Sequence, residues 1–131
     1  MLHEEITEKI IAAFYTVYNT LGYGFLEKVY ENALAIEVRK SGLNVVQQSN
    51  IKVYYEKKVI GDYYADLLVE NSVIIETKAA SALSEEHEAQ LTNYLRATEI
   101  EVGLLLNFGK TPEFKRKIFE NKLKKGNRTR M

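Results

Sequence analysis

Hydrophobic residues recur every three or four positions in the first part of the chain, which is the spacing of amphipathic helices. The first run predicts a helix over residues 4–20, with an apolar face formed by Ile6, Ile10, Phe14, Val17, Tyr18 and Leu21. Gly22 and Gly24 then interrupt the pattern. A second run predicts a helix over residues 26–40, and Gly42 follows it as a C-terminal cap.

Between residues 45 and 78 the share of β-branched and aromatic residues rises, which favours strands. Strands are predicted near residues 45–48, 52–55, 63–69 and 73–78. The first two are also compatible with one bent strand. Turns are predicted at residues 56–58, 61–62 and 70–72.

Helix and strand signals alternate in the last third of the chain. Ser84 is a good helix N-cap, and two glutamates follow it in the first turn of a helix predicted to end near residue 97. Residues 102–107 are apolar on both faces, as in a central buried strand. Thr111 and Pro112 predict the start of a last helix, because proline is favoured at the first helical position.

This order of elements predicts the α/β class, with a mixed central sheet flanked by helices. We expect a single domain over residues 1–125 and a basic tail over residues 126–131. The chain has 131 residues, which suits one compact domain.

Composition narrows the class of protein. The chain has no cysteine, which excludes disulfide bridges, cysteine zinc sites and thiol nucleophiles. No apolar run approaches the roughly 20 residues of a membrane span. The acidic start lacks the features of a signal peptide, so we predict a cytoplasmic location.

The zero net charge conceals an asymmetry between the two parts of the chain. From Lys110 onward, nine basic residues face two acidic ones, so this segment carries +7 and the preceding residues carry −7. The basic end has two interpretations: a contact for nucleic-acid phosphates, or a solvated terminal helix and tail.

The stretch from Asp66 to Lys78 contains the candidate chemistry. A hairpin centred on Asn71 would place Asp66 directly opposite Glu76, and the alternation of strand side chains would place Lys78 on the same face as Glu76. Carboxylate oxygens are the ligands that Mg²⁺ and Mn²⁺ prefer. The alternative is an ordinary Glu–Lys ion pair on an exposed sheet face.

The segment from Gly24 to Tyr30 resembles the signature of the GxxExxY proteins, a bacterial and archaeal family in the PD-(D/E)XK nuclease superfamily. The resemblance covers nearly the whole chain. It extends over residues 31–34, 65–69, 75–79, 87–95 and 103–109, in the same order as in the family.

The resemblance implies a single-domain PD-(D/E)XK nuclease-like fold and a role for each matching residue. Asp66 and Glu76 resemble the two metal-binding acids of the superfamily, with the backbone carbonyl of Thr77 as a further ligand and Lys78 orienting the attacking water. Ala65 replaces the proline of the motif. The resemblance also implies supporting residues on the helices. Glu27 resembles the glutamate that joins the metal shell in the exonuclease-like branch, and Gln90 and Tyr94 resemble the helix motif of that branch.

Three residues of these motifs also have simpler, structural interpretations. Glu27 follows Gly24 closely and complements a helix dipole. Tyr30 has apolar neighbours and is expected in the core, and His87 is expected to be a polar first-turn residue rather than a ligand.

The resemblance therefore predicts a nuclease that uses Mg²⁺ or Mn²⁺ to hydrolyse phosphodiester bonds, with DNA favoured over RNA as the substrate. The chain is short for gripping a duplex alone, so action as a homodimer or within a larger complex is a second possibility. A third is a non-catalytic module that keeps the fold and binds nucleic acid or a protein.

Overall fold

The computed structural model describes residues 2–124 of the chain. Three α-helices, five strands and a short 3-10 helix follow one another in this order: α1 (Glu4–Leu21), α2 (Glu27–Lys40), β1 (Val45–Tyr55), β2 (Lys58–Val69), β3 (Val73–Lys78), α3 (Glu85–Arg96), β4 (Val102–Phe108), β5 (Pro112–Ile118) and the 3-10 helix (Asn121–Leu123). The three helices lie within one or two residues of the predicted ranges. The prediction of a single α/β domain with a mixed sheet is confirmed.

The five strands form one sheet in the order β1-β2-β3-β4-β5. Strands β3 and β4 are parallel and are joined by the crossover helix α3, whereas the other neighbouring pairs are antiparallel. All seven residues of β4 are buried, in agreement with the predicted central strand.

Helices cover both faces of the sheet. On one face, α1 and α2 bury apolar side chains such as Phe14 and Leu34 against β2, β3 and β4. On the other face, α3 packs Leu91 against β4 at Gly103, where a Cβ atom would lie 2.7 Å from Cδ1 of Leu91. This close approach places α3 directly against β4.

The β1–β2 hairpin is longer than the strand beside it. Strand β2 pairs with β3 only over Leu67–Val69, so residues 49–65 extend beyond β3. We call this extension the arm. The register shifts at Ile60, which has no partner on β1, so a β-bulge bends the arm.

Two predictions about the first hairpin need revision. The two predicted strands at residues 45–48 and 52–55 form one strand, β1, as the alternative interpretation allowed. The turn predicted at residues 61–62 lies inside β2 instead, where the bulge accounts for the glycine. The chain reverses at Glu56 and Lys57, both of which have positive φ.

The prediction of a last helix starting at Thr111 is wrong. Residues from Pro112 onward form the edge strand β5, which pairs with β4 from Phe108↔Pro112 to Val102↔Ile118. A fully buried β4 needs a hydrogen-bonding partner on its outer edge, and proline is tolerated at the first position of an edge strand.

The described part of the basic end therefore forms the strand β5 and the short 3-10 helix, and several of its cations already have partners. Lys117 and Lys115 form ion pairs with Glu88 of α3. Arg116 donates to the hydroxyl of Thr7. The predicted tail at residues 126–131 lies outside the described residues. No helix within residues 2–124 is both long and apolar enough to cross a membrane.

Candidate functional site

The site lies where β2 and β3 begin to separate. The pairing Leu67↔Ile75 has the predicted register, so Asp66 lies opposite Glu76. Each carboxylate accepts a hydrogen bond from the main chain of the other strand: the Asp66 amide donates to Oε2 of Glu76 at 2.9 Å, and the Thr77 amide donates to Oδ2 of Asp66 at 2.8 Å. The hydroxyl of Thr77 donates to the same Asp66 oxygen at 2.9 Å.

Glu76 is the most perturbed acid of the cluster. It is only 3% exposed, and this burial, together with the negative charge of Asp66, raises its pKa to about 8. The Asp66 amide and the cation of Lys78 oppose this rise, whereas the charge of Glu31 adds to it. A nearby cation would strongly favour the ionised form of an acid in this environment.

Lys78 and two residues of α3 form a hydrogen-bonded chain beside the acids. The Lys78 ammonium donates to Oε1 of Gln90 at 3.1 Å, and Nε2 of Gln90 donates to the Tyr94 hydroxyl at 3.1 Å. Burial, with a further contribution from the charge of Glu76, raises the pKa of Tyr94. The structure thus brings Asp66, Glu76, Thr77, Lys78, Gln90 and Tyr94 together in one place.

Glu27 is placed differently. It is exposed at the first position of α2, and no contact within residues 2–124 links its side chain to the acid pair. Glu31, one turn further along the helix, is 3% exposed and close enough to Glu76 to raise its pKa. The helix acid nearest to the cluster is therefore Glu31.

Two consecutive glutamines of β1 hold Glu31. Nε2 of Gln47 donates to its Oε2 and Nε2 of Gln48 donates to its Oε1, each at 2.9 Å. Adjacent strand residues normally point to opposite faces, but Gln48 has a left-handed backbone with φ of 53°, which interrupts the alternation. Lys28 adds an ion pair at 3.1 Å.

The sequence held a signal for Glu31 that the motif-based prediction did not use. Its neighbours at helical spacing are Leu34, Ala35 and Val38, all buried. A glutamate that continues the apolar face of a helix is expected to be buried and to need partners.

Tyr30 and His87 have structural roles. Tyr30 is fully buried, as predicted, and its hydroxyl donates to the carbonyl of Gly22 at 2.7 Å while its ring stacks on Phe108 at 4.3 Å. His87 closes a capping box with Ser84 at the start of α3. Both residues hold the elements that carry the site.

The acid pair has oxygen atoms to offer a hard cation. Oδ1 of Asp66 and Oε1 of Glu76 accept no hydrogen bond from residues 2–124, while their other oxygens are held by the main chain. No group of three or more His, Cys, Asp or Glu side chains among the described residues is arranged to hold a metal ion. Two carboxylates with main-chain and water oxygens form the donor set that fits Mg²⁺ or Mn²⁺.

Comparison with known proteins supports the interpretation of this fold. Neither the curated proteins nor the solved structures contain a significant match to the chain. A family model described as the PD-(D/E)XK nuclease superfamily matches residues 4–118, which include both acids, Lys78 and all of α3. The chain therefore belongs to the PD-(D/E)XK nuclease superfamily.

Proposed function

We propose that this protein is a nuclease that hydrolyses phosphodiester bonds in DNA with the help of Mg²⁺ or Mn²⁺. The observation that carries the proposal is the apposition of the half-buried Asp66 and the buried Glu76, with Lys78 beside them. Two acids pressed together at the edge of a hydrophobic core destabilise each other, so this arrangement is explained best by a cation that binds between them.

Asp66 and Glu76 would hold the metal ion, together with the backbone carbonyl of Thr77. When bound, the ion supplies positive charge for the phosphate oxygens and lowers the pKa of a coordinated water. The hydrogen bonds from the Thr77 amide and hydroxyl fix the orientation of the Asp66 carboxylate before any ligand arrives.

Lys78 orients the attacking water and binds a phosphate oxygen. An ammonium group has three hydrogen-bond donors, and the contact with Gln90 uses one of them. The Tyr94 hydroxyl accepts from Gln90, so its own proton is available for a phosphate oxygen. The raised pKa of Tyr94 keeps that proton on the hydroxyl.

Glu31 rather than Glu27 supports the metal shell in this proposal. We expect Glu31→Gln to lower the initial rate of DNA cleavage by about 10- to 100-fold, the usual range for residues that support metal ligands. Glu27→Gln is its matched control on the same helix and should stay within about two-fold, because the side chain is exposed. A larger loss in Glu27→Gln than in Glu31→Gln would return the role to Glu27.

Calorimetry with Mn²⁺ tests the metal site without a guess at the substrate. We expect the wild-type protein to bind Mn²⁺ and Glu76→Ala to lose this binding, while Glu86→Ala, an exposed change in the first turn of α3, retains it. Cleavage of single-stranded and duplex DNA is then assayed with Mn²⁺, with Mg²⁺ and with EDTA. Neither binding nor cleavage in the wild-type protein would favour a non-catalytic nucleic-acid-binding module.

A further inference from the structure

We infer that the groove between the arm and α3 binds one base of an unpaired nucleotide beside the scissile phosphate. This inference rests on the proposed nuclease function and specifies the form of its substrate. The groove has a volume of about 570 Å³ and shares Gln90 and Tyr94 with the candidate catalytic site. A nucleotide bound at the acid pair therefore has this groove directly beside it.

An aromatic ring forms the wall of the groove on the arm. Tyr63 lies on the side of β2 that faces α3, and its ring centroid is 5.9 Å from that of Tyr94. Tyr94 is only 6% exposed, whereas Tyr63 is 49% exposed. The open ring of Tyr63 provides a surface on which any base can stack.

The β-bulge shapes the arm around this ring. Gly61 lies against Tyr63, and a Cβ atom at Gly61 would be 2.9 Å from Cε2 of the ring. The unpaired bulge residue Ile60 lines the same groove. Because Gly61 has no side chain, the Tyr63 ring can occupy its position beside Ile60 in the groove.

A polar group on α3 faces the aromatic wall. The Asn93 amide lines the groove, is exposed and makes no side-chain hydrogen bond with any residue in 2–124. A carboxamide has two donors and an acceptor, which suits the edge of a nucleobase.

These two features together require an unpaired base. In a duplex, neighbouring bases cover both faces of a base, and its partner occupies the Watson–Crick edge. A base that stacks on Tyr63 and presents its edge to Asn93 must leave the duplex, as bases of single strands and frayed ends do. Single-stranded DNA, or the single-stranded end of a duplex, is the substrate that fits this groove.

Fluorescence anisotropy in EDTA measures binding separately from cleavage. The probes are a labelled 12-nucleotide single strand of DNA and the blunt duplex of the same sequence. We expect Tyr63→Leu to weaken affinity for the single strand by about 5- to 100-fold, the effect of losing one stacked base. The matched control Tyr55→Leu removes another exposed tyrosine of the arm, which does not line the groove, and should change affinity by less than about two-fold.

A second variant keeps the aromatic ring. Gly61→Ala forces the Tyr63 ring aside and should also weaken single-strand affinity, without removing the tyrosine. A 2-aminopurine in the strand reports stacking directly, because its fluorescence should fall on binding to the wild-type protein and recover in Tyr63→Leu. The inference is overturned if the wild-type protein does not bind the single strand, or if Tyr63→Leu and Tyr55→Leu behave alike.

The outcomes separate this inference from the proposed function. Stacking that depends on Tyr63, with no cleavage under any metal condition, would support the base-binding groove and contradict the nuclease. Cleavage with no preference for single strands and no effect of Tyr63→Leu would support the nuclease and overturn the groove.

Discussion

Replacement of Asp66 by asparagine is expected to lower the rate of DNA cleavage by at least about 1,000-fold, equivalent to about 4 kcal/mol of transition-state stabilisation. Asparagine retains an oxygen that can accept the hydrogen bonds from Thr77, so the hairpin keeps its structure. What the variant loses is the negative charge that would hold the metal ion in the proposed mechanism. Initial rates under single-turnover conditions with Mn²⁺ measure the effect.

Asp62→Asn is the matched control for this change. Asp62 lies on the same strand, is exposed and is bonded to Asn50 and Lys52 of the arm rather than to the site. We expect its cleavage rate to stay within about three-fold of wild type, since exposed ion pairs contribute little. Similar rates for Asp66→Asn and the wild-type protein would remove the acid pair from the mechanism.

The second large effect concerns stability without metal. The pKa of Glu76 is raised to about 8 from an ordinary value of 4.5 by burial and by Asp66. Between these two pH values the carboxyl ionises in the unfolded chain but stays protonated in the folded protein. The contribution of Glu76 to the free energy of unfolding should therefore be highest below pH 4.5. Above this pH it should fall by about 1.4 kcal/mol per pH unit until the pH passes the folded pKa.

Urea denaturation in EDTA across this pH range, followed by circular dichroism, measures the slope. Glu76→Gln is neutral at every pH, so the difference in stability between the two proteins isolates the contribution of Glu76. Parallel pH profiles for wild type and Glu76→Gln would contradict the shifted pKa. Addition of Mn²⁺ at pH 8 should restore stability to the wild-type protein alone, because binding to the folded state opposes unfolding.

Local patterns predicted much of the fold and the centre of the site. The register of the hairpin around Asn71 depends on a three-residue turn and on alternation, so the apposition of Asp66 and Glu76 was accessible from residues close in sequence. The helical spacing of Gln90 and Tyr94 likewise placed them on one face of α3. The resemblance to the superfamily motifs linked the acid pair on the hairpin with Gln90 and Tyr94 on α3.

Features that depend on distant partners were not accessible in this way. The local signal of Thr111 and Pro112 is the same for a helix start and for the first position of an edge strand. Only the need of β4 for a hydrogen-bonding partner on its outer edge decides between the two. Helical spacing signals the burial of Glu31, but its contacts with Gln47 and Gln48 depend on a distant strand and on the left-handed backbone of Gln48.

The shortness of the hairpin from Asp66 to Lys78 has a consequence for the order of folding. The entropy lost on closing a chain segment grows with its length, so this hairpin closes at little entropic expense. We expect its two acids to meet early, while water still surrounds them and weakens their repulsion. Burial by the helices would follow, and α2 brings a further acid, Glu31, to the pair. A divalent ion that binds the two acids, as proposed, would then also assist the docking of the helices.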